Sequence, residues 1–406
     1  MTETTSQPDL LSRAFTSDPY SVYRVLRAQA PAHKVVVKTL TVELNAWVVT
    51  RYEEARALMA DPRLSKDAAG LPRIVELNKA HDGPVQLANF KSMLFSDPPD
   101  HTRLRRIMGR AFTMRRVERL RPWIERATDR LLDQIEPGVT VDLVTALAMP
   151  LPISVIGALL GVPEDRHADF RSWNSILTSV DADMTAKVGA HVAASGYLAE
   201  LIAGKRAEPA DDLISALLNP TADEAPLDDG ELLSTIFLVM NAGYETTASM
   251  LGNSMYALLT DPAQQAALRA DPDLVPAAVE ESLRHESPLN LATVRYTREP
   301  IPLGRVVIPA DELVFISLAA ANRDPARFSD PDQVDLTRDD RGHLAFGHGT
   351  HHCLGAPLAR LEGDVALRRL LARFSRWTLA VESSELTWRN SMQFRSLERL
   401  PARFDH

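Results

Sequence analysis

The chain has a single cysteine, Cys353, within Phe346-Gly-His-Gly-Thr-His-His-Cys-Leu-Gly355. One thiol makes no internal disulfide and cannot supply the several thiolates of a structural zinc site. Glycines 347, 349 and 355 surround it, and Ala356-Pro357 opens the next helix. Glycine permits close backbone approach and positive φ, and proline is pre-set for a first helical turn. The pattern predicts a tight loop that delivers sulfur to a helix N-terminus, where the dipole favours a thiolate. Such a thiolate suits one soft-ligand bond to iron, with a haem supplying the in-plane nitrogens. Two plainer readings compete. A lone cysteine serves as a small buried hydrophobe in many proteins. A zinc loop would need His348, His351, His352 and Cys353 on one ion, and neighbours in a short loop cannot all aim at it.

A second group of reactive side chains lies in Glu231–Thr260, where Glu231 and Glu245 are the only charged residues. A thirty-residue helix runs about 45 Å, and one apolar nearly all round is expected to be buried. Asp228 or Asp229 is placed to cap its start, and Asp261-Pro262 to end it. Glu245 is then a buried acid, which must be paired, neutral or beside water. Thr246 follows it and Ala242-Gly243 precede it, so a local opening of the helix is expected there. An acid and a hydroxyl at an opening are suited to proton relay.

The remaining signals describe the scaffold. Helical periodicity covers Pro122 to Ile135 and Leu361 to Phe374. Strands are expected at Ala46–Thr50, Thr293–Tyr296, Val306–Ile308, Leu313–Ser317 and Met392–Leu397, with Pro309-Ala-Asp-Glu as a hairpin turn. The chain reads as mostly helical with small peripheral sheets. Its 27 prolines are scattered rather than clustered, and 45% of residues are hydrophobic, enough for a large core. The N-terminus lacks a basic and an apolar signal region. The most apolar stretches, Ile236–Met240 and Met149–Leu160, fall short of the roughly 18 residues that span a bilayer. A cytoplasmic protein with no membrane partner is expected, in keeping with one cysteine. The net charge of −9 argues against a nucleic-acid partner. The charge is uneven: His101 to Arg121 holds eight arginines and one acid, and Arg360, Arg368, Arg369, Arg373 and Arg376 form a second basic group. These are either solvated helix faces or a patch that steers an acidic carrier.

The string Phe346-x-x-Gly349-x-His351-x-Cys353-x-Gly355 resembles the haem-binding loop of the cytochrome P-450 family, the haem-thiolate monooxygenases. Trp47-Val-Val-Thr-Arg-Tyr-Glu-Glu-Ala-Arg, Asp97-Pro-Pro-Asp-His-Thr-Arg-Leu-Arg, Ala242-Gly-Tyr-Glu-Thr-Thr247 and Glu281-Ser-Leu-Arg284 are similar to other family segments, in the family's order. The resemblance spans nearly the whole chain and points to the bacterial, actinobacterial-like class, some of whose members decorate polyketides.

It implies a mainly α fold over 1–406 as a single haem domain: a helix-rich triangular prism with peripheral sheets and a long buried central helix. It implies haem b, with Cys353 as the iron ligand and His101, Arg105, Arg295 and His351 at the propionates. Arginine's planar fork fits a carboxylate, and His101 and Arg105 share a helix face at i, i+4. Glu245 and Thr246 take the role of proton delivery. Glu281 and Arg284 become a buried structural pair, but its usual third partner is absent, because the chain reads Asp332-Gln333-Val334. Tyr244 and His352 replace the family's common histidine and phenylalanine. Substrate contacts are implied for Phe90, Leu94, Leu238, Asn241, Ala242, Leu291, Gln393 and Phe394, a mainly apolar set. The plainer reading makes several of these simple core.

The implied reaction inserts one oxygen atom of O2 into a bulky, largely apolar small molecule such as a polyketide, macrolide or other natural product. Hydroxylation comes first and epoxidation second. Electrons would come from a separate ferredoxin and its reductase. The alternatives are a peroxide-driven enzyme of the same fold and a non-catalytic haem sensor.

Overall fold

The computed structural model describes residues 9–10, 12–38, 43–80, 92–178, 183–220, 225–339 and 342–405. They fall into two compact units. The first comprises the described residues of Met1–Phe90, Gly252–Cys353 and Val381–Leu400, and the second those of Lys91–Leu251, Leu354–Ala380 and Pro401–His406. In chain order the strands are β1 (Ala32–Lys38), β2 (Glu43–Val49), β3 (Leu64–Ser65), β4 (Thr140–Asp142), β5 (Arg295–Thr297), β6 (Ile301–Leu303), β7 (Val306–Ile308), β8 (Leu313–Ile316), β9 (Arg376–Leu379) and β10 (Pro401–Asp405). Helices make up most of the rest.

A five-stranded sheet, ordered β1-β2-β8-β5-β3, organises the first unit. β1 and β2 pair antiparallel from Ala32 opposite Val49 to Lys38 opposite Glu43. β8 joins β2 in parallel, with Trp47 opposite Val314. Successive side chains of a strand point to opposite faces, and both faces here are apolar. Ala46, Val48, Leu313 and Phe315 join one hydrophobic cluster with Tyr23 and Ile74. Trp47, Val49, Val314 and Ile316 join a second with Tyr52, Leu58 and Phe328. The sheet is thus sandwiched, which explains why β8 reads as a continuous apolar run.

The long helix runs Asp229–Thr260, 32 residues. Its start is a reciprocal cap: Glu231 N donates to Asp228 Oδ1 at 2.7 Å, and Asp228 N donates to Glu231 Oε2 at 3.2 Å. Asp261 ends it by capping the next helix, Pro262–Ala270, through the amides of Ala263 and Gln264. In the second unit a Cβ at Gly243 would lie 2.4 Å from Ile156 Cδ1, so glycine permits the close packing of this helix on Pro150–Leu160. The helices Arg121–Leu132 and Ala356–Arg373 pack on each other in the same unit. A sheet ordered β4-β10-β9 completes it.

Three sequence expectations need correction. Pro309 to Glu312 is a turn, with Asp311 at φ +61°, but not the turn of a hairpin. β7 pairs with β6 across the nearer turn at Gly304, and the chain then crosses to β8 in the large sheet. Met392–Leu397 is not a strand. It makes only isolated bridges, Leu289 with Phe394 and Trp388 with Leu397, and the last strand is β10. The expected break near Thr246 is absent: the Thr246 hydroxyl bonds the Ala242 carbonyl at 2.5 Å while the helix continues. Strand β1 was not anticipated, because His33, Lys34 and Lys38 dilute its apolar alternation.

Candidate functional site

The cysteine loop begins with the capture of Leu344, whose amide donates to Asn322 Oδ1 at 2.6 Å. His343 steadies the same turn: its Nδ1 accepts from the Ala345 amide at 3.2 Å, so its Nε2 carries the proton toward Glu280 Oε2 at 3.1 Å. Gly347 and Gly349 then take φ of +72° and +74°. At Gly349 a Cβ would stand 2.9 Å from both Met59 O and Ala60 Cα, so the loop touches the end of the Tyr52–Met59 helix through bare backbone. Gly355 uses no such freedom: its φ is −79°, and it precedes Ala356–Arg373 as that helix's cap. Two hydrogen bonds close the loop: the His352 amide donates to Gly349 O at 3.0 Å and the Cys353 amide to Phe346 O at 2.8 Å. With its backbone satisfied in this way, Cys353 is nevertheless exposed. An exposed cysteine on a rigid loop is not the buried hydrophobe of the plainer reading. No cluster of three or more His, Cys, Asp or Glu suited to a metal ion appears among the described residues.

The predicted basic groups divide between the units. In the first, Arg295 lies on β5, 5% exposed, with Nη1 donating to Thr293 O at 2.9 Å, and His351 ends the Gly349–His351 turn. In the second, His101 (2% exposed) and the half-buried Arg105 stand one turn apart on Asp100–Ala111. Arg103, between them, goes elsewhere and pairs with Glu231.

On the long helix, Leu238 and Asn241 are half-open and Ala242 is exposed, although they lie mid-helix in an apolar stretch. Asn241 Nδ2 donates to Phe237 O at 3.0 Å. Glu245 is buried and its carbonyl accepts from Ser249 Oγ at 2.8 Å; Thr246 is half-open. Protein thus leaves these positions partly uncovered, while Val239, Met240 and Tyr244 between and beside them are buried. Leu94 is half-buried in the Met93–Phe95 turn of the same unit. Phe90 lies outside the described residues. In the first unit Leu291 is 1% exposed within the sheet's hydrophobic cluster, whereas Gln393 and Phe394 are half-open.

The Glu281–Arg284 pair is buried at 5% and 2%. Arg284 Nε and Nη2 meet the two carboxylate oxygens at 2.7 Å each. Backbone carbonyls of Asn322, Pro331 and Gln333 take the other donors at 2.8–3.0 Å. The third charged partner is Arg338, whose Nε reaches Glu281 Oε1 at 3.2 Å. It lies four residues beyond Val334, so the motif window did not include it.

Many arginines of the two basic groups are neutralised. Arg121 pairs with Glu118 and Asp364, Arg368 with Asp364, Arg369 with Glu125 and Asp129, and Arg373 with Asp133.

The family model for cytochrome P450 matches residues 175–394. Cytochrome P450 107B1 of Saccharopolyspora erythraea is 47% identical, over 98% of this chain and 98% of its own. The chain belongs to the cytochrome P450 family. The 6-deoxyerythronolide B hydroxylase of the same organism is 41% identical, over 99% of this P450 and all of its own length. The tirandamycin C-bound monooxygenase TamI superposes with a TM-score of 0.89 at 44% identity, covering 98% of this P450 and 100% of that chain. The mainly α P450 fold, monooxygenase class and haem b cofactor follow from membership. No helix among the described residues is long and apolar enough to cross a membrane.

The residues present fit the cofactor. The first unit offers an accessible cysteine and two basic side chains, and the second offers two further basic side chains and half-open positions on the long helix, groups that suit a haem's iron and carboxylates. When bound, the haem supplies activation of dioxygen for transfer of one oxygen atom.

Proposed function

We propose that this P450 hydroxylates a bulky, largely apolar natural product, with a polyketide or macrolide as the first candidate and epoxidation as a second outcome. The observation that carries the reading is the open stripe Leu238, Asn241 and Ala242 beside Glu245 and Thr246. It combines apolar surface with one amide and a proton-handling pair. The 6-deoxyerythronolide B hydroxylase and the tirandamycin C-bound TamI accord with such a substrate.

Both units serve one haem domain in this reading. Cys353 holds the iron, and His101, Arg105, Arg295 and His351 anchor the propionates by charge-assisted hydrogen bonds. When the cofactor is bound, the Thr246 hydroxyl would hold a proton for delivery to the reacting oxygen, and Glu245 would resupply it. Leu94, Leu238, Asn241, Ala242, Gln393 and Phe394 shape the substrate cavity, with Phe90 as a further contact, and Leu291 supports them from the hydrophobic cluster behind. Electrons arrive from a ferredoxin and its reductase. Arg56 and Arg327, with Glu53, line a cleft of about 430 Å³ beside the cysteine loop, which offers an acidic carrier two guanidinium groups against one carboxylate.

The test uses holoenzyme, NADPH, ferredoxin and reductase under 18O2, on a compound chosen by its substrate-induced Soret shift. The product should gain a single 18O. Thr246→Ala should lower product formed per NADPH roughly tenfold or more, with Thr246→Ser recovering most of it. Equal turnover with hydrogen peroxide alone, or undiminished coupling in Thr246→Ala, would contradict the reading.

A further inference from the structure

Two segments proposed to meet substrate, the stretch after Glu286 and the Gln393–Phe394 turn, are fastened to each other within the first unit. Asn290 N donates to Gln393 O at 2.7 Å, and Arg395 N donates to Pro288 O at 2.8 Å. The Asn290 side chain donates to Met392 O at 2.9 Å and accepts from the Tyr23 hydroxyl at 2.8 Å. Asn253 Nδ2 bridges the carbonyls of Glu286 and Arg395 at 2.9 and 2.8 Å. These bonds fix the backbone on both sides of Phe394.

A buried charge cluster stands behind them. The Glu286 carboxylate, 5% exposed, accepts from Arg395 Nε at 3.1 Å, Arg323 Nη2 at 2.9 Å and the Tyr20 hydroxyl at 2.8 Å. Arg395, 6% exposed, also donates through Nη1 to Thr16 O at 2.6 Å. Its guanidinium lies 3.4 Å from the centroid of the Trp388 ring. Every face of this side chain is therefore engaged. Burying two guanidiniums on one carboxylate is an inefficient route to stability, since desolvation offsets much of the Coulomb gain. Its effect is directional: the planar fork holds Arg395 in one orientation, and Phe394 is the next residue in the chain.

We infer that Glu286 and Arg395 are positioning residues for the Gln393–Phe394 turn, and that through it they set which substrate position meets the oxidising centre. The inference rests on the proposed placement of that turn against substrate. It assigns Phe394 the contact and the charge cluster the aim.

Arg395→Met keeps an unbranched side chain over Trp388 but removes the fork. It should raise the substrate dissociation constant, read from the Soret shift, about tenfold, and spread product over more than one position. Arg395→Lys should recover part of the selectivity. Glu286→Gln should act in the same direction, and it serves as the measured variant if Arg395→Met does not fold. Imidazole, a small ligand for the iron, should bind all these holoenzymes as tightly as wild type. A purely structural cluster would lower thermal stability yet leave the dissociation constant and product distribution of the folded holoenzyme unchanged, and that result would overturn the inference. Phe394→Ala separates the two levels. If it alters selectivity while the Arg395 and Glu286 variants do not, the inference alone fails. If it alters nothing, the turn does not meet substrate, and the placement and the inference fail together.

Discussion

Cys353 and Glu362 stand nine residues apart, and the protein covers them differently. Protein leaves Cys353 uncovered, on a loop held by the amides of Gly347, His352 and Cys353. Glu362, on Ala356–Arg373, is 1% exposed, and its Oε2 has no hydrogen-bond partner among the described residues. Burial pushes its pKa well above the usual carboxylate range. The folded chain therefore keeps a proton that the unfolded chain releases above a pH of about 4.5. The cost to stability grows as pH rises from there toward the folded pKa, by about 1.4 kcal/mol per pH unit within that window. Glu362→Gln removes the titration, so its melting temperature should exceed wild type by more at pH 8 than at pH 5. A difference independent of pH would show that Glu362 is ionised in the fold.

At the scale of elements, much of the local geometry around the candidate site was legible because it is specified over short stretches of sequence. The loop's glycines, the caps of the long helix and the Glu281–Arg284 spacing each specify geometry over a few residues. What escaped depends on partners far apart in the chain. β7 chose β6 over β8 through the nearer Gly304 turn, and Met392–Leu397 is bound by Asn253, Pro288 and Asn290 rather than by a neighbouring strand. No periodicity announces such contacts. Arg338 is another case, since its place on Glu281 depends on how the segment from Asp330 folds back. The Glu281–Arg284 element carries its own prediction. Glu281→Gln leaves the Arg284 guanidinium buried at 2% with only carbonyl partners. Stability should fall by roughly 3–5 kcal/mol, measured as a lower denaturant midpoint at unchanged m-value. A loss under 1 kcal/mol would mean that the carbonyls of Asn322, Pro331 and Gln333 suffice.

Over the whole molecule, net charge and arginine clusters give a poor picture of the field without the structure. The chain carries −9, yet its two arginine-rich stretches are consistent by composition with either solvated helix faces or a positive patch. Ion pairs with Glu118, Glu125, Asp129, Asp133 and Asp364 cancel much of that charge. Those acids come from interleaved helices, which composition cannot reveal. The family, by contrast, was legible from end to end, because its motifs recur in order along the chain and the 47% identity covers 98% of it. Every functional role proposed for the molecule depends on one proposed bond, from Cys353 to haem iron. The reduced, CO-bound absorption spectrum of the holoprotein tests it most directly. Wild type should show the red-shifted Soret band of a thiolate-ligated haem, and Cys353→His should bind haem without that band. A wild-type spectrum lacking the red-shifted band, or a Cys353→His spectrum that retains it, would contradict the assignment of Cys353 as the iron ligand.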